Sequence, residues 1–406
     1  MQQRCLVWFA SSMSARHPVL TIVPGSESHL RNHHHSIFRS AVEAFPDAED
    51  GSIVEVRSSS GDFLCYAMLN RKAYICGRAI AFEQGDPLKM LKGTIERAIR
   101  FREAFFKREE TTAYRLVNAE GDGVPGLIVD RYGETLVLQL TTLGMDHLRT
   151  WVADLLVELC APSGIFEKSS GPARQKEGLE GREGWVIEGG AADIEILERG
   201  LKYRISLMGS QKTGLFLDQR EMRSLVRQSA QGRTVLDCCS YVGGFSLNAL
   251  AGGAVCSDAV DYDALAIARA KENISLNAIE PGRFAGYAED VFNFLRRQPY
   301  PHAYDFVILD PPAFAKRSSD LEPAKKAYTD LNRLALQLLP PGGLLLTCSC
   351  SYQIDAALFQ TIVFHAARQA KRFVRILQRH RHAFDHPINL NHPEVDYLKS
   401  LLLWVE

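Results

Sequence analysis

The sequence predicts an α/β protein whose C-terminal half forms a parallel sheet covered by helices on both faces. From Lys202 onward, short apolar runs alternate with helical patterns, which is the order of elements in doubly wound sheets. The run Val235-Leu236 leads through Asp237 into Gly243-Gly244, where a helical pattern begins, so a glycine turn joins a buried strand to a helix. The length of 406 residues and the hydrophobic content of 46% suit two or three domains with full cores.

Residues 17–86 are predicted to form a small β-barrel or sandwich. Four short β patterns are separated there by polar turns: VLTIV, SIVEVRS, FLCYAML and AYICGRAIAF. Only one short helix, near Ser28–Phe38, is expected among them. Residues 1–16 are predicted to be an N-terminal extension, because their apolar part is too short for a signal peptide and no clear cleavage site follows.

Residues 87–195 are predicted to form a middle α+β domain. The pattern from Asp86 to Phe105 is helical, because apolar residues recur near one face. Two glycine-rich turns then separate the apolar strands of YRLVNAEGDGVPGLIVDRYGETLVLQL, and a helix is expected around Met145–Cys160. The polar run from Lys168 to Gly184 is predicted to be a mobile loop.

Residues 196–406 are predicted to carry the doubly wound sheet, closed by a C-terminal pair of strands. The predicted strands are 234–238, 254–260, 283–287, 304–310, 343–349, 372–378 and 397–404. The predicted helices are 219–230, 245–252, 263–276, 289–297, 321–339 and 355–370. Ligands of such sheets bind at the carboxyl ends of the strands, so the residues at those ends are the candidates for a site.

Acidic residues follow two of the predicted strands. Asp261 ends the second strand, 24 residues after Asp237, where a carboxylate is placed to bind the hydroxyls of a ribose. Asp290 opens the helix after the third strand, either as its N-cap or as an acceptor for an adenine amino group. The dinucleotide fingerprint GxGxxG is absent, because Cys239 and Tyr241 stand where it needs glycines.

The fourth and fifth strands end in the most distinctive residues. Asp310-Pro311-Pro312 follows the fourth strand, and its two prolines fix an extended loop that lacks two backbone donors. The fifth strand places Cys348 and Cys350 two residues apart, on one face. A strand cysteine is usually a core residue, but Cys350 falls at the carboxyl end, next to the Asp310 loop, where ligands bind.

Composition and charge narrow the class further. No apolar run approaches the ~18 residues that a membrane span requires, and nine scattered cysteines without CxxC pairs indicate reduced thiols in the cytoplasm. His33-His34-His35 is predicted to be a solvated loop rather than a metal site, so no metal is expected. The net charge of −1 argues against a basic coat. Two basic runs, Lys89–Arg108 and Lys371–Arg381, suit phosphate contacts, although solvated faces of amphipathic elements are slightly favoured.

Together these motifs resemble those of the class I S-adenosylmethionine-dependent methyltransferases. The runs TGLFLDQR from Thr213, SYVGGFSL, LDPPAFA and TCSCS are similar, more narrowly, to the family that methylates carbon 5 of cytosine in large-subunit ribosomal RNA. The N-terminal segment resembles that family's PUA domain and AEGDGVPGLIVDRYG its middle RNA-contacting domain; Asp385-His386-Pro387 and Tyr397-Leu398-Lys399 resemble its C-terminus. The resemblance implies a Rossmann-like class I methyltransferase sheet preceded by a β-barrel PUA domain and a middle α+β domain.

The resemblance also implies a covalent mechanism with S-adenosylmethionine as cofactor. The thiolate of Cys350 adds to carbon 6 of the base, and Asp310 hydrogen-bonds the ring and stabilises the developing charge. Asp261 and Asp290 match contacts to the ribose and adenine, and Ser240 to Gly243 match the methionine end. The implied cofactor-binding residues are Phe216, Asp218, Arg220, Asp237, Ser240, Tyr241, Gly243, Asp261, Tyr262, Asp290, Asp310 and Pro311. The implied partner is large-subunit ribosomal RNA, with no membrane and with a homodimer as a further expectation.

Two departures from the family pattern bear on the chemistry. Ala313 stands where many cytosine methyltransferases carry a second cysteine, so product release must proceed without that thiol. Cys348 stands where a larger apolar residue is usual, which leaves two candidates for the nucleophile; Cys238-Cys239 is interpreted as a packing variant.

Three alternatives compete with this interpretation. A methyltransferase acting on a ring nitrogen of guanine in ribosomal RNA shares the DPPxF turn but has no need of Cys350. A non-catalytic RNA-binding protein on the same fold is disfavoured, because Asp261, Asp310 and Cys350 are all intact. A nicotinamide dehydrogenase is disfavoured by the missing glycine fingerprint.

Overall fold

The computed structural model describes residues 17–209, 213–298 and 304–406, and the predicted extension 1–16 lies outside them. Its strands form three sheets of five or more strands and one hairpin. None of the helices within the described ranges is both long and apolar enough to cross a membrane.

The N-terminal domain is a six-stranded sheet with one short helix. Its elements are β1 (Val19–Ile22), α1 (Ser28–Arg31), β2 (Ser36–Phe38), β3 (Val42–Ala44), β4 (Ile53–Ser58), β5 (Phe63–Leu69) and β6 (Ile75–Ala81). The strand order is β2-β6-β5-β4-β1-β3, with β1 and β4 parallel and the other pairs antiparallel. The helix predicted near Ser28–Phe38 is shorter than expected, because its second half forms β2 and pairs with β6.

The histidine run in this domain differs from the prediction of a solvated loop. His34 and His35 are buried, and only His33 is exposed. The His35 Nδ1 lies 2.7 Å from the Ala79 carbonyl oxygen, and the His34 ring stacks on His392 with centroids 4.4 Å apart. The run therefore packs between the N-terminal domain and the C-terminal part of the chain.

The middle domain consists of a five-stranded sheet and four helices. Its elements are α2 (Pro87–Phe105), β7 (Ala113–Asn118), β8 (Leu127–Tyr132), β9 (Thr135–Leu140), α3 (Leu143–His147), α4 (Arg149–Cys160), β10 (Gly164–Ser169), α5 (Pro172–Lys176) and β11 (Arg182–Ile187). The strand order is β11-β10-β9-β8-β7, and only β9 and β10 run parallel. The Asp86 side chain caps α2 by accepting from the backbone N–H of Leu88 and Lys89. The predicted helix Met145–Cys160 is present as two helices, α3 and α4.

The polar run from Lys168 to Gly184 is not a loop, contrary to the prediction. It supplies the end of β10, all of α5 and the start of β11. Arg174 is buried and donates to the Leu140 carbonyl and to Asp146, both at 2.8 Å. Glu177 is buried too, and the Asn70 amide of the N-terminal domain donates to it at 2.8 Å. Buried ion pairs and hydrogen bonds hold this polar segment in place.

The C-terminal domain contains the predicted doubly wound sheet. Its elements are β12 (Asp193–Glu198), β13 (Leu201–Ser206), α6 (Arg220–Ser229), β14 (Thr234–Cys238), α7 (Gly244–Ala251), β15 (Cys256–Asp261), α8 (Ala264–Leu276), β16 (Phe284–Ala288), α9 (Val291–Arg297), β17 (Phe306–Leu309), α10 (Leu321–Leu338), β18 (Leu344–Ser349), α11 (Ala356–Gln369), β19 (Val374–His380) and β20 (Lys399–Val405). The seven-stranded order is β16-β15-β14-β17-β18-β20-β19, and β20 is antiparallel to both of its neighbours. Val235 and Leu236 belong to apolar clusters on opposite faces, so this central strand is buried on both sides.

The domain boundary predicted between residues 195 and 196 falls inside β12 of the β12–β13 hairpin, and the boundary stays a prediction. The two strands pair from Asp193 opposite Ser206 to Glu198 opposite Leu201, so a boundary inside β12 would divide the hairpin. The backbone N–H of Arg204 donates to the Asn273 side chain on α8 at 2.7 Å. We therefore assign the hairpin to the C-terminal domain.

Candidate active site

The loop from β14 to α7 has an unusual backbone that forms one wall of the site. Cys239, Tyr241 and Gly243 all have positive φ angles, of 59°, 48° and 76°. Left-handed backbone is strained for residues other than glycine, and such strain concentrates at functional sites. Gly243 has a further reason to be glycine, since a Cβ there would lie 2.8 Å from the Cβ of Ala270 on α8.

Two buried oxygen atoms beside this loop lack a hydrogen-bond partner among the described residues. Asp237 accepts from the Ser246 backbone N–H and hydroxyl through Oδ2, at 2.9 and 2.8 Å, while its Oδ1 has no partner. The Ser240 hydroxyl is buried and likewise has none within the described ranges. Burial raises the pKa of Asp237 to about 6. Buried polar atoms are nearly always satisfied, so this pair fits a polar ligand group such as the methionine end of S-adenosylmethionine.

Asp261 is held at the end of β15 by the same loop. Its Oδ2 accepts from the Tyr241 backbone N–H at 2.9 Å, and its Oδ1 accepts from the Asp263 N–H at 3.0 Å. The carboxylate is buried, which raises its pKa, and each oxygen keeps acceptor capacity for a hydroxyl group. Tyr262, the next residue, is 74% exposed. This geometry is compatible with a ribose, and the contact of Asp261 with the ribose stays a prediction.

Asp290 has the capping role that was one of its two predicted roles. Its side chain accepts from the Asn293 backbone N–H at 3.0 Å and begins α9. The residue is exposed and follows β16, the strand next to β15. The contact with an adenine amino group stays a prediction.

Asp310 lies at the carboxyl end of β17, where a buried side chain fixes its orientation. The Gln219 Nε2 donates to Asp310 Oδ1 at 2.8 Å, and the Asp310 N–H donates to the Cys238 carbonyl at 3.3 Å. Gln219 is only 3% exposed, and its Oε1 has no hydrogen-bond partner in the described part of the chain. Gln219 was not predicted from the sequence as a site residue, although it lies within the run TGLFLDQR.

Cys348 in β18 and Cys350, the residue directly after β18, differ in burial as predicted. Cys350 is half-buried, and its Sγ lies 3.7 Å from the Pro311 carbonyl oxygen, which places it beside the Asp310 loop. Cys348 is 0% exposed, and burial raises the pKa of its thiol well above the ordinary value. Tyr328 on α10 contacts the hydroxyls of Ser349 and Ser351, at 3.1 and 3.0 Å, and so fixes the strand end on either side of Cys350. Tyr328, like Gln219, was not predicted from the sequence.

The residues before α6 make contacts in two places, with the loop from β14 to α7 and with the middle domain. The Phe216 ring packs edge-on against Tyr241, with centroids 5.3 Å apart, and the Tyr241 hydroxyl donates to the Gly214 carbonyl at 2.9 Å. Thr213 instead donates to Asp130 Oδ2 in the middle domain at 2.7 Å. Phe216 therefore remains a candidate for the cofactor site.

Two residues predicted to bind the cofactor, Arg220 and Asp218, are buried and make contacts within the protein. Arg220 is 1% exposed; its guanidinium pairs with Asp385 at 2.8 Å and donates to the Ala113 carbonyl at 2.8 Å. Asp218 is buried and accepts from the Tyr397 hydroxyl at 2.5 Å. Arg220 thus links α6 to the middle domain, and Asp218 links two segments of the C-terminal domain; a cofactor contact of either residue stays a prediction.

Comparisons with known proteins agree with this arrangement. A family model described as S-adenosylmethionine-dependent methyltransferase matches residues 180–395, and one described as PUA-like domain matches residues 20–82. A ribosomal RNA large subunit methyltransferase I from Cronobacter sakazakii is 35% identical over 386 residues, which cover 94% of this chain and 98% of that protein. A protein of the same name from Aliivibrio fischeri is 36% identical over 385 residues, covering 93% and 97%.

Solved structures show the same fold. An S-adenosylmethionine-dependent methyltransferase from Streptococcus mutans superposes with a TM-score of 0.81 at 24% identity, covering 95% of this chain and 100% of that chain. A crystal structure of a methyltransferase complexed with SAH gives the same TM-score, identity and coverage. The agreement extends over the N-terminal, middle and C-terminal domains, and confirms the predicted fold class.

Proposed function

The chain belongs to the family of S-adenosylmethionine-dependent methyltransferases that includes ribosomal RNA large subunit methyltransferase I, and we propose that it methylates carbon 5 of a cytosine in large-subunit ribosomal RNA. The observation that carries the choice of atom is the position of Cys350. Its half-buried sulfur lies at the carboxyl end of β18, 3.7 Å from the Pro311 carbonyl and next to Asp310. A nitrogen methyltransferase needs no thiol at that place.

The residues at the cleft support each step of a covalent reaction. When bound, S-adenosylmethionine supplies an electrophilic methyl group. The Cys350 thiolate bonds to carbon 6, and the electrons of the carbon 5–carbon 6 double bond move to carbon 5, which takes the methyl group. Loss of the carbon 5 proton to solvent restores the double bond and expels the sulfur as a thiolate. Asp310, held by Gln219, hydrogen-bonds the ring and stabilises the developing charge.

The residues for the cofactor are proposed from their geometry. Asp261 binds the ribose, and Asp237 with Ser240 binds the methionine end through the two buried oxygens that lack partners among the described residues. Tyr241 and Gly243 shape the loop, and the remaining assignments follow the sequence motifs: Phe216, Tyr262, Asp290, Asp310 and Pro311. These assignments account for a line of ligand-facing positions along the carboxyl edge of β14, β15, β16 and β17.

The RNA partner rests on the PUA-like domain and on the relatives' names more than on the basic runs. Lys92 pairs with Glu158 at 2.6 Å, Arg108 pairs with Glu134 at 2.7 Å, and Arg381 pairs with Asp396. Much of the positive charge in both runs is thus balanced by the chain's own carboxylates. We expect RNA to contact the N-terminal domain and the cleft edge instead.

We also propose that the protein is located in the cytoplasm and forms a homodimer. The eight cysteines of the described ranges form no disulfide bond with one another, which fits a reducing compartment such as the cytoplasm. A homodimer is supported by the edge strand β19, next to which Phe373 is 79% exposed and on which Leu377 is exposed too. Light scattering behind a sizing column measures the mass in solution; a monomer at micromolar concentration contradicts the dimer.

The covalent mechanism is tested with RNA that contains 5-fluorocytosine. Fluorine cannot leave as a cation, so methylation stops before the sulfur is expelled, and the enzyme should remain bonded to RNA through Cys350. Cys350→Ala should abolish both adduct and methyl transfer while S-adenosylmethionine still binds, whereas Cys348→Ala should keep most activity. An adduct mapped to Cys348 would move the nucleophile. A normal methylation rate in Cys350→Ala would overturn the proposal in favour of a nitrogen methyltransferase.

A further inference from the structure

A lysine on the strand next to Cys350 has no role in the function proposed above. Lys399 begins β20, which pairs antiparallel with β18 and places Lys399 opposite Ser349, the residue before Cys350. Its Nζ donates to the carbonyl oxygens of Ser351 and Tyr397, both at 2.7 Å. The ammonium group is therefore held by two backbone carbonyl groups. One belongs to Ser351, the residue directly after Cys350, and the other to Tyr397, two residues before Lys399.

This ammonium group is buried without a carboxylate to balance it. Lys399 is 5% exposed, and within the described ranges no carboxylate oxygen lies within the 4 Å of an ion pair. A buried charge that lacks a counter-ion is costly. Burial lowers the pKa of Lys399 to about 8, and negative charge on Cys350 is the largest influence opposing that shift, followed by Asp355. The anion that best compensates Lys399 is thus the Cys350 thiolate.

Among the described residues, the two phenols and the carboxylate near Cys350 supply no positive charge. Tyr328 from α10 and Tyr397 from the segment before β20 are phenols whose pKa burial raises, to about 12 for Tyr328 and well above the ordinary value for Tyr397. Asp310, in the loop after β17, is acidic and disfavours a second negative charge nearby. Arg381 acts on Lys399 in the opposite sense, by lowering its pKa. Without Lys399, these two phenols and Asp310 would favour the neutral thiol of Cys350.

We propose that Lys399 keeps its proton and stabilises the thiolate of Cys350, and so prepares the nucleophile for addition. In the resting enzyme the thiol proton goes to solvent, the sulfur keeps the electron pair that later bonds to carbon 6, and Lys399 retains its three protons. The thiolate is the reactive form of cysteine, and a neighbouring cation is a known way to populate it near neutral pH. Lys399 acts through Cys350 and is a positioning residue. The relevance of this role to methyl transfer rests on the proposed function.

The inference is tested by alkylation of the full-length protein with iodoacetamide across pH, in a Cys348→Ala background so that mass spectrometry reports Cys350 alone. With Lys399 present, the midpoint of the rate profile should lie below the ordinary cysteine value of about 8.5. Lys399→Met should raise the midpoint by about one unit or more and slow alkylation about tenfold at pH 7. Lys399→Arg should restore it. The difference should vanish in alkaline solution, where Cys350 is ionised in both proteins and Lys399 loses its proton.

A matched control is Lys326→Met, which removes an exposed lysine from α10 and should leave the profile unchanged. A merely structural Lys399 would alter thermal stability in Lys399→Met but leave the alkylation midpoint in place, which overturns the inference. If that variant does not fold, a midpoint at or above 8.5 with Lys399 present overturns it without any substitution at Lys399. Alkylation needs neither cofactor nor RNA, so the outcome is independent of whether Cys350→Ala abolishes methyl transfer.

Discussion

At the scale of single residues, the local sequence does not show which distant residue contacts a residue of the site. Cys350 and Asp310 are predictable, because each ends a buried apolar run and the ends of parallel strands meet at one edge. Gln219 and Lys399 are not, since their contacts depend on how distant segments come together. Gln219 reaches Asp310 across 91 positions of sequence, and Lys399 reaches Ser351 only because β20 returns antiparallel to β18.

The orienting role of Gln219 leads to a prediction about catalysis. Gln219→Leu keeps the volume but removes the donor to Asp310 Oδ1, so the carboxylate loses its fixed direction. Because a hydrogen bond to a charged group contributes about 1.5–3 kcal/mol, we expect kcat to fall about tenfold or more, with little change in cofactor affinity. Methyl-transfer kinetics and calorimetric titration of S-adenosylmethionine measure the two effects.

Gln228→Leu is the matched control for Gln219→Leu, because Gln228 is exposed on α6 and its amide donates, among the described residues, to the nearby Ser224 hydroxyl alone, at 3.5 Å. It should leave kcat unchanged. A Gln219→Leu enzyme with kcat within twofold of the unsubstituted enzyme would show that Asp310 does not need this donor.

At the scale of elements, the strands and helices of the large sheet were predicted to within a few residues. The central strands β17 and β18 are buried along their whole length, so the local apolar pattern suffices there. The prediction of a loop over Lys168–Gly184 was wrong, because the local pattern does not suffice there. Its charged residues looked solvated, yet Arg174 and Glu177 are buried by partners more than 20 positions away, which no local pattern records. The prediction of a solvated loop was wrong for His34 and His35 for the same reason.

The turn between β14 and α7 allows a test of why glycine is needed there. Gly243 and Gly232 have similar φ angles, 76° and 70°, but only Gly243 would bring a new Cβ against a neighbour, at 2.8 Å from the Ala270 Cβ. A left-handed residue other than glycine costs roughly 1–2 kcal/mol. We expect Gly232→Ala to lower the free energy of unfolding by about that amount and Gly243→Ala to lower it further. Urea titrations measure both; equal losses would show that α8 yields to the added methyl group.

At the scale of the whole molecule, buried charges hold the domains together. Asp385, just after β19, pairs with Arg220 of α6 at 2.8 Å and accepts from the Arg115 backbone N–H of the middle domain at 2.9 Å. Arg102 of α2 donates to the Asp385 carbonyl, also at 2.8 Å. The burial of Arg220 follows from this network. The run TGLFLDQR alone does not show that Arg220 contacts residues 113 and 385, and a cofactor contact of Arg220 stays a prediction.

This network leads to a prediction about stability and pH. Burial alone would raise the pKa of Asp385, but the Arg220 guanidinium and His386 hold that pKa well below its usual range. A depressed pKa in the folded state gives stability that is complete above the unfolded value, about 4, and is lost as the pH falls towards the folded value. Asp385→Asn keeps the size but leaves the buried Arg220 without this counter-ion, so we expect a loss of about 3 kcal/mol or more at pH 7.

Chemical denaturation of the two full-length proteins from pH 7 to pH 3 measures the predicted effect of Asp385→Asn. The difference should be full at neutral pH and shrink below about pH 4, where the unfolded carboxyl group is protonated before the folded one. Asp62→Asn is the control, because Asp62 pairs with Arg31 on the surface and solvent screens that ion pair; this variant should unfold at the same denaturant concentration as the unsubstituted protein. An Asp385→Asn protein that unfolds at the unsubstituted midpoint at pH 7 would mean that Glu198, 3.4 Å from the Arg220 Nε, compensates the guanidinium unaided.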